Sequence, residues 1–338
     1  MRSRAPHRPR VFVTRALPGT GLERLAARTH LEVWPAPGGP SYAELVRGAR
    51  DADALLCMLT DRVDAALLGA CTRLRVVSSC SVGLDHVDLA EATRRGIPVG
   101  HTPGVLAETT ADLAFALLLA TARRVAEADR FVRSGGWTPE RRWEPELLLG
   151  RDVHGAVLGS VGLGQIGRAM ARRAAGFGMR VLGWSRSRRR VAGVERVALE
   201  DLLAGSDAVT IHLALTPETR GLLDARALAR MKPEAFLINT ARGGIVDEAA
   251  LAEALAAGRL AGAGIDVFES EPLAPSSPLL ALENVVLTPH IGSASIATRV
   301  RMADLAVENV LAGLAARALP HCANPEVQPA SATRSRRR

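Results

Sequence analysis

A glycine-rich turn in the middle of the chain has the spacing of a phosphate-binding loop. Gly162, Gly164 and Gly167 form the pattern G-x-G-x-x-G between an apolar run, Val157–Val161, and a helical stretch, Ile166–Phe177. Such glycines allow the backbone to approach a pyrophosphate, and the N–H groups at the helix start face it. The alternative is a tight structural turn. The cofactor-binding residues predicted here are Leu163, Gly164, Gln165 and Ile166.

The end of the next predicted strand, Val181–Trp184, indicates which dinucleotide binds. An NAD-selective site places Asp or Glu there to accept hydrogen bonds from the adenosine ribose. This sequence continues instead with Ser185, Arg186 and Ser187. A hydroxyl beside a guanidinium suits a 2′-phosphate, because arginine binds phosphate through parallel charge-assisted hydrogen bonds. We therefore expect NADP(H) to be preferred over NAD(H); a solvated arginine run on a loop is the alternative.

Short apolar runs that alternate with longer helical patterns must position these residues. The predicted strands are Val11–Thr14, Ala54–Met58, Leu74–Ser79, Val157–Val161, Val181–Trp184, Ala208–Leu213, Ala235–Asn239, Gly262–Val267 and Val285–Leu287. The predicted helices are Leu113–Ala128, Ile166–Phe177, Glu248–Ala257 and Ile296–Leu314. Strands separated by helices of this length indicate parallel βαβ units. We predict the α/β class, with two doubly wound parallel-sheet domains.

Two Gly/Pro-bearing segments, Gly100–Gly104 and Thr288–Gly292, are interpreted as the crossings between the domains. On this interpretation a flavodoxin-like substrate domain comprises residues 10–103 plus 289–320. A Rossmann-type dinucleotide-binding domain, residues 104–288, is inserted in it. Residues 1–9 and 321–338 are predicted to be basic, disordered tails.

Composition excludes several other classes of function. The chain has 338 residues and a net charge of +8, but four arginines in residues 1–10 and four in residues 331–338 account for that excess. The body is therefore neutral, and its 3% aromatic content is too low for a base-stacking platform. The longest apolar run, Leu113–Ala122, is too short to span a bilayer. Cysteine spacing predicts neither a metal site nor disulfides, and we expect a cytoplasmic protein without nucleic-acid or membrane partners.

Several segments, together with the Gly162 turn, resemble the D-2-hydroxyacid dehydrogenase family over about residues 10–320. They are Ser81–Asp88 (SVGLDHVD), Asn239–Gly244 (NTARGG), Gly264–Pro272 (GIDVFESEP) and Thr288–Ser293 (TPHIGS). The glyoxylate/hydroxypyruvate reductase branch is the most similar in Leu56–Asp61 and in the Ser-Arg end of the second cofactor strand. The resemblance implies that hydride from NADPH reduces a small 2-oxo acid, glyoxylate or hydroxypyruvate, to the D-2-hydroxy acid.

The resemblance also implies a catalytic trio. Arg242 would bind the substrate carboxylate and polarise the ketone, in a fork geometry that lysine cannot match. His290 would be the general acid and base, since imidazole titrates near neutral pH. Glu271, with Glu269 as the alternative, would pair with His290, favour the imidazolium and orient the ring.

Further contacts follow from the same resemblance. The backbone of Val82 and Gly83 would donate N–H groups to the substrate carboxylate. Residues implied at the nicotinamide end of the cofactor are Thr240, Ala241, Asp266 and Gly292, with Thr109 as a weaker candidate. Asp266 would accept a hydrogen bond from the carboxamide, and closure of the domains around the substrate would exclude water.

Two tryptophans bear on the oligomeric state, and several other functions compete with the one implied. Trp137 and Trp143, in a loop after the long apolar helix, suggest a homodimer interface, with intramolecular packing as the alternative. Within the family the alternatives are an NAD-linked D-2-hydroxyacid, formate, phosphite or phosphoglycerate dehydrogenase and an aromatic 2-oxo acid reductase. Outside catalysis, the alternative is a dinucleotide-sensing, corepressor-like protein.

Overall fold

The structure is a computed structural model that describes residues 8–187 and 190–328, and these fold into two α/β units. One boundary falls between Leu106 and Ala107, and the other falls between Ser293 and Ala294. The second unit is therefore an insertion in the sequence of the first. The predicted α/β class with two parallel sheets is confirmed.

Strands and helices alternate along the chain. The strands are β1 (Arg10–Val13), β2 (His30–Val33), β3 (Ala54–Cys57), β4 (Val76–Ser79), β5 (Val99–Gly100), β6 (Val157–Val161), β7 (Arg180–Trp184), β8 (Val194–Arg196), β9 (Ala208–Ile211), β10 (Phe236–Asn239), β11 (Gly262–Ile265) and β12 (Val285–Leu287). The helices are α1 (Gly21–Ala26), α2 (Tyr42–Ala49), α3 (Ala65–Ala70), α4 (Leu89–Arg94), α5 (Ala107–Ala122), α6 (Val125–Arg133), α7 (Gln165–Gly176), α8 (Leu199–Gly205), α9 (Ala225–Leu228), α10 (Glu248–Ala256) and α11 (Ile296–Leu314).

The first unit is a parallel sheet in the order β2-β1-β3-β4-β5, covered by α1–α4 and by α11. Successive side chains of a strand point to opposite faces, so both faces of the sheet are buried. Val11 packs in one core cluster with Met302 of α11, whereas Phe12 packs in the cluster on the other face. α11 begins where the Ser295 hydroxyl accepts a hydrogen bond from the N–H of Thr298.

The second unit is a parallel sheet in the order β12-β11-β10-β9-β6-β7-β8, with α5 and α7–α10 on its faces. Leu237 and Ile238 of β10 belong to the core clusters on opposite faces. The strand order reverses where β6 follows the chain to β7 on one side and pairs with β9 on the other. In open α/β sheets, ligands bind beyond the carboxyl ends of the strands at such a switch point.

Some predicted elements were missed or misplaced. The edge strands β2, β5 and β8 were not predicted, and the single helix predicted over Leu113–Ala128 is wrong. It is interrupted at Arg124, which has a left-handed φ of 52°. The carbonyl of Ala122, the last residue of α5, accepts a hydrogen bond from the N–H of Arg151, and α6 starts at Val125.

The chain termini and domain boundaries also differ from the sequence interpretation. The prediction of a disordered tail from residue 321 is wrong over residues 321–328, because the buried side chain of Asn324 accepts from the N–H of Val99 and donates to the carbonyl of Ile97. Pro9 of the predicted N-terminal tail is ordered too, since its carbonyl accepts a hydrogen bond from the N–H of His30. Residues 1–7 and 329–338 of the predicted tails lie outside the described residues. Residues 289–293, assigned by sequence to the substrate domain, belong to the inserted unit, and residues 104–106, assigned to the dinucleotide-binding domain, belong to the first unit. Among the described residues, no helix combines the length and apolar character needed to cross a membrane.

Candidate active site

The glycine-rich turn joins β6 to the start of α7, as the sequence predicts. Gly162 has a φ of 108°, a conformation that residues with a Cβ rarely adopt, and a Cβ at Gly167 would collide with the carbonyl oxygen of Gly162. Gly164 is the N-cap of α7, no described side chain caps the helix, and a Cβ at Gly164 would meet no described atom within 4 Å. Open space beside Gly164 at the uncapped start of α7 fits the pyrophosphate of a dinucleotide, which helix N-termini bind through their backbone N–H groups.

The turn after β7 carries the residues predicted to select the cofactor. The Ser185 hydroxyl donates to the carbonyl of Ser187 at 2.9 Å, and the exposed guanidinium of Arg186 lies 3.8 Å from Glu218. Arg196 of β8 braces this turn by donating to Ser185 Oγ at 3.1 Å and to the carbonyls of Ser185 and Ser187 at 3.0 and 2.6 Å. The arginine run continues through residues 188 and 189, which lie outside the described residues.

The turn after β10 presents Arg242. The side chain of Asn239 accepts from the N–H of Ala241 and donates to the carbonyl of Arg242, both at 3.0 Å, and so fixes the backbone on either side. Arg242 Nη1 donates to the carbonyl of Ala241 at 2.9 Å. The Thr240 hydroxyl is buried and has no hydrogen-bond partner within the described chain. A buried hydroxyl left open at this strand end is compatible with a polar cofactor group.

His290 and Glu271 form a close pair. His290 Nδ1 lies 2.7 Å from Glu271 Oε2, and Glu271 Oε1 accepts from the N–H of Phe268 at 3.1 Å. Burial opposes the ionised form of Glu271, but the hydrogen bond and charge of His290, with a contribution from Arg242, leave the pKa of Glu271 below its ordinary value. Arg242 and His290, both distant from Glu271 in sequence, thus act electrostatically on its carboxylate.

The other candidate carboxylate, Glu269, points elsewhere. Its Oε1 accepts from the N–H of Glu248 at 3.3 Å, and its own N–H donates to Glu248 Oε2 at 3.1 Å. The structure therefore pairs His290 with Glu271, not with Glu269.

Asp266 braces the turn that carries His290. Its fully buried carboxylate accepts hydrogen bonds from the Thr288 hydroxyl at 2.6 Å and from the N–H groups of Ile291 and Gly292 at 2.8 Å. His290 itself has a φ of 53°, an uncommon conformation for a residue with a Cβ, and its N–H donates to the carbonyl of Asp266. Burial raises the pKa of Asp266, and these hydrogen bonds and His290 oppose that shift.

The remaining predicted residues lie in different parts of the chain. Thr109 is in the first turn of α5, and Val82 and Gly83 are in the turn after β4, in the first unit. His212, at the end of β9, has a buried ring that lies 3.0 Å from the Thr210 hydroxyl, and burial lowers its pKa to about 3. Among the described residues, no cluster of His, Cys, Asp or Glu could hold a metal ion.

Sequence reasoning missed two supporting residues, Asn239 and Arg196. Asn239 stands at the end of a predicted strand, where a polar side chain is itself a signal that the following turn is fixed. Arg196 had no such signal, because β8 is a short edge strand without an apolar run.

A helix start open to a pyrophosphate, and an imidazole held by a carboxylate beside an arginine, are the parts of a dinucleotide-dependent dehydrogenase. Residues 115–292 match the family model described as D-isomer specific 2-hydroxyacid dehydrogenase, NAD binding domain. The chain belongs to this family, and it is an oxidoreductase with an NAD(P)-binding Rossmann domain.

Individual relatives agree with this assignment. The chain is 50% identical to a glyoxylate reductase of Korarchaeum cryptofilum over 324 residues, which is 95% of this chain and 97% of the relative. A crystal structure of the TT0316 protein from Thermus thermophilus has a TM-score of 0.88 and 50% identity, covering 93% of this chain and 99% of that one. An NADPH-dependent glyoxylate/hydroxypyruvate reductase from Sinorhizobium meliloti, solved with NADP and malonate, has a TM-score of 0.83 and 35% identity, covering 93% and 96%.

Proposed function

We propose that this dehydrogenase reduces glyoxylate, and hydroxypyruvate as a second substrate, to the D-2-hydroxy acid with hydride from NADPH. The observation that carries the proposal is the 2.7 Å contact between His290 Nδ1 and Glu271, close to Arg242. The relatives named glyoxylate reductase support the choice of substrate. The D configuration of the product follows from membership of the family.

The chain's own residues supply the proton. Because Glu271 holds Nδ1 of His290, Nε2 is the ring nitrogen left to face a substrate carbonyl. His290 gives the Nε2 proton to the carbonyl oxygen during reduction and takes it back during oxidation. The nicotinamide, when bound, supplies the hydride that goes to the carbonyl carbon, so one hydride and one proton convert the ketone or aldehyde to an alcohol.

Substrate binding needs a cation and backbone donors for the carboxylate. In this proposal the Arg242 guanidinium binds the carboxylate and polarises the carbonyl, and its backbone is held for that purpose by Asn239. Val82 and Gly83 donate backbone N–H groups to the carboxylate. Thr240, Ala241, Asp266 and Gly292, with Thr109, remain the residues predicted for the nicotinamide end.

The preference for NADPH is proposed on the turn after β7. Ser185 and Arg186 stand where an NAD-selective sequence has an acidic residue. Arg196 supports this by adding a second guanidinium within hydrogen-bond distance of the turn. A structural neighbour is named an NADPH-dependent reductase. Glu218 faces Arg186 at 3.8 Å across an exposed gap, where a bound phosphate would compete with it.

Steady-state kinetics test the proposal. We expect NADPH oxidation with glyoxylate and hydroxypyruvate, with kcat/KM lower for pyruvate, and a kcat/KM for NADPH at least about tenfold above that for NADH. NADPH binding without turnover on any of these acids would contradict the proposed substrates. A lower KM for NADH than for NADPH would contradict the cofactor assignment alone.

A homodimer is proposed on a separate observation. Trp137 and Trp143 are 58% and 88% exposed, which disfavours the alternative of intramolecular packing. Val125, Val132 and Leu149 are also exposed in the same stretch of the chain. Aromatic and aliphatic side chains left in water on this scale favour burial against a partner. Sedimentation equilibrium tests this: a monomer at micromolar concentration would contradict it.

The cytoplasmic location stays a prediction, which cell fractionation checks.

A further inference from the structure

The turn that follows β4 is fixed through three successive backbone carbonyls. The carbonyl of Ser81 accepts from the N–H of Thr102 at 2.8 Å. The carbonyl of Val82 is 3.1 Å from His101 Nδ1, and the carbonyl of Gly83 accepts from the Ser81 hydroxyl at 2.7 Å. Each of these carbonyls therefore has a donor of its own within the first unit.

Fixing a carbonyl also fixes the N–H group that follows it. In a planar trans peptide the C=O and N–H bonds of one unit point in opposite directions. The bond from His101 to the Val82 carbonyl therefore aims the N–H of Gly83 away from the imidazole. The hydrogen bond to the Ser81 carbonyl likewise points the N–H of Val82 away from Thr102. The hydrogen bond to the Gly83 carbonyl points the N–H of Leu84 away from the Ser81 hydroxyl. Successive backbone N–H groups that converge in a turn form an anion-binding concavity.

His101 is itself held in place from the backbone. Its N–H donates to the carbonyl of His321 at 3.2 Å, and its carbonyl accepts from Asn309 Nδ2 at 3.0 Å. Asn309 is fully buried in α11, and its Oδ1 accepts from the N–H of His321 at 3.2 Å. The imidazole thus projects from a fixed backbone. Because a carbonyl oxygen can only accept, Nδ1 of His101 carries the proton in this bond.

A series of hydrogen bonds through two serine hydroxyls also ends at this turn. Ser81 donates its hydroxyl hydrogen to Gly83, so the 2.7 Å bond between Ser79 and Ser81 has Ser79 as donor. The 2.9 Å bond between Ser79 and His86 then has His86 Nε2 as donor. Ser79 and Ser81 are buried, so this relay is protected from water. Each group in this series therefore donates to the next, and the last donates to the Gly83 carbonyl.

We propose that His101 is a positioning residue for the substrate carboxylate, acting by holding the Val82 carbonyl so that the N–H of Gly83 faces the anion. This inference rests on the proposed function, in which Val82 and Gly83 bind that carboxylate. His101 touches neither substrate nor cofactor in this role. It differs from Arg242, which supplies charge, because it only orients a neutral donor.

Substitutions at His101 separate positioning from general structure. In His101→Ala the donor is lost, and we expect KM for glyoxylate to rise roughly threefold to tenfold, the cost of one neutral hydrogen bond. The value of kcat should change less than about twofold, and the Kd for NADPH should not change. Asn carries Nδ2 at the position of Nδ1, so His101→Asn should restore KM, whereas His101→Gln moves the donor by one bond and should not.

A matched control and a second comparison keep the test decisive. His30→Ala, at an exposed histidine of β2 in the same unit, should leave KM unchanged. If His101→Ala fails to fold, the contrast between His101→Asn and His101→Gln still tests the inference. Wild-type turnover with an unchanged KM in His101→Ala, or equal KM values in the Asn and Gln variants, would overturn the inference alone. Absence of wild-type turnover on 2-oxo acids would overturn the proposed function and this inference with it.

Discussion

Two turns of the inserted unit differ in how firmly the fold holds them. The turn that carries His290 is held by hydrogen bonds from its backbone N–H groups to the fully buried carboxylate of Asp266. The turn that carries Ser185 and Arg186 is exposed and is held from its edge by Arg196. The residue proposed to move the proton therefore has a fixed backbone, whereas the residues proposed to choose the cofactor lie in a turn open to solvent. Changes in the first turn should reduce turnover, and changes in the second should shift cofactor preference.

The largest effect is expected from the imidazole in the braced turn. In His290→Gln, kcat with glyoxylate should fall by about 10²- to 10⁴-fold, because the proton donor is lost. Cofactor affinity, measured by quenching of protein fluorescence, should stay within a few-fold of wild type. As a control, His154→Gln replaces an exposed histidine of the same unit and should leave kcat unchanged. A His290→Gln enzyme with wild-type kcat would contradict the role of His290 as the proton donor.

The next effect concerns the carboxylate that holds the imidazole. Glu271→Gln removes a charge-assisted hydrogen bond worth about 1.5–3 kcal/mol, so kcat should fall about tenfold to a hundredfold. The pH profile of turnover should also change, because Glu271, whose pKa is lowered in the folded protein, is replaced by an amide that does not ionise. The contrasting substitution Glu269→Gln should leave that profile intact, since Glu269 faces Glu248. A profile unchanged in Glu271→Gln would refute the pairing.

Acid stability offers a second measurement on the same carboxylate. The pKa of Glu271 is lowered in the folded state, so its pairing stabilises the fold fully above the ordinary glutamate pKa, about 4.3. That contribution is lost as pH falls through the lowered value. Denaturant unfolding of wild type and Glu271→Gln should therefore converge as the solution is acidified, and a gap that widens in acid would contradict the sign of the shift.

The brace itself should affect stability. In Asp266→Asn one carboxylate oxygen becomes an NH₂ group facing backbone N–H donors, and the free energy of unfolding should fall by about 1–3 kcal/mol. Asp201→Asn, at an exposed position on α8, should change it little. Equal stability of the two variants would mean that Asp266 does not brace the His290 turn.

The smallest expected effect belongs to the exposed turn. Arg186→Ala should raise KM for NADPH about tenfold and leave KM for NADH nearly unchanged, because one charge-assisted contact to the 2′-phosphate is lost. Arg259→Ala, another exposed arginine of the unit, is the matched control. Equal losses with both cofactors would show that Arg186 supports the fold and not the choice of dinucleotide.

Sequence alone predicted the sheets and the residues that motifs carry. Alternating apolar runs indicated the central strands, because strands buried on both faces are continuously apolar. The edge strands β2 and β8 were missed, since an edge needs no such run. The break at Arg124 was missed as well, because the hydrogen bond from Arg151 to the carbonyl of Ala122 comes from a residue far along the chain.

At the site, the catalytic residues could be predicted, but the hydrogen bonds and backbone conformations that hold them in place could not. The resemblance of Gly264–Pro272 and Thr288–Ser293 to the family implied Glu271 and His290 as candidates. The left-handed backbone of His290, the buried hydrogen bonds of Asp266 and the edge contacts of Arg196 depend on tertiary packing, which no local pattern encodes. For the same reason the role of His101 becomes visible only when the carbonyl it contacts is known.

Glyoxylate reduction by the wild type, by His290→Gln, by Glu271→Gln and by the double variant tests the central claim most directly. If the two side chains move one proton as a unit, NADPH is consumed by the wild type, and the double variant is no slower than His290→Gln alone. Independent, multiplicative losses in the double variant, or a wild type that binds NADPH and never oxidises it with a 2-oxo acid, would contradict the account.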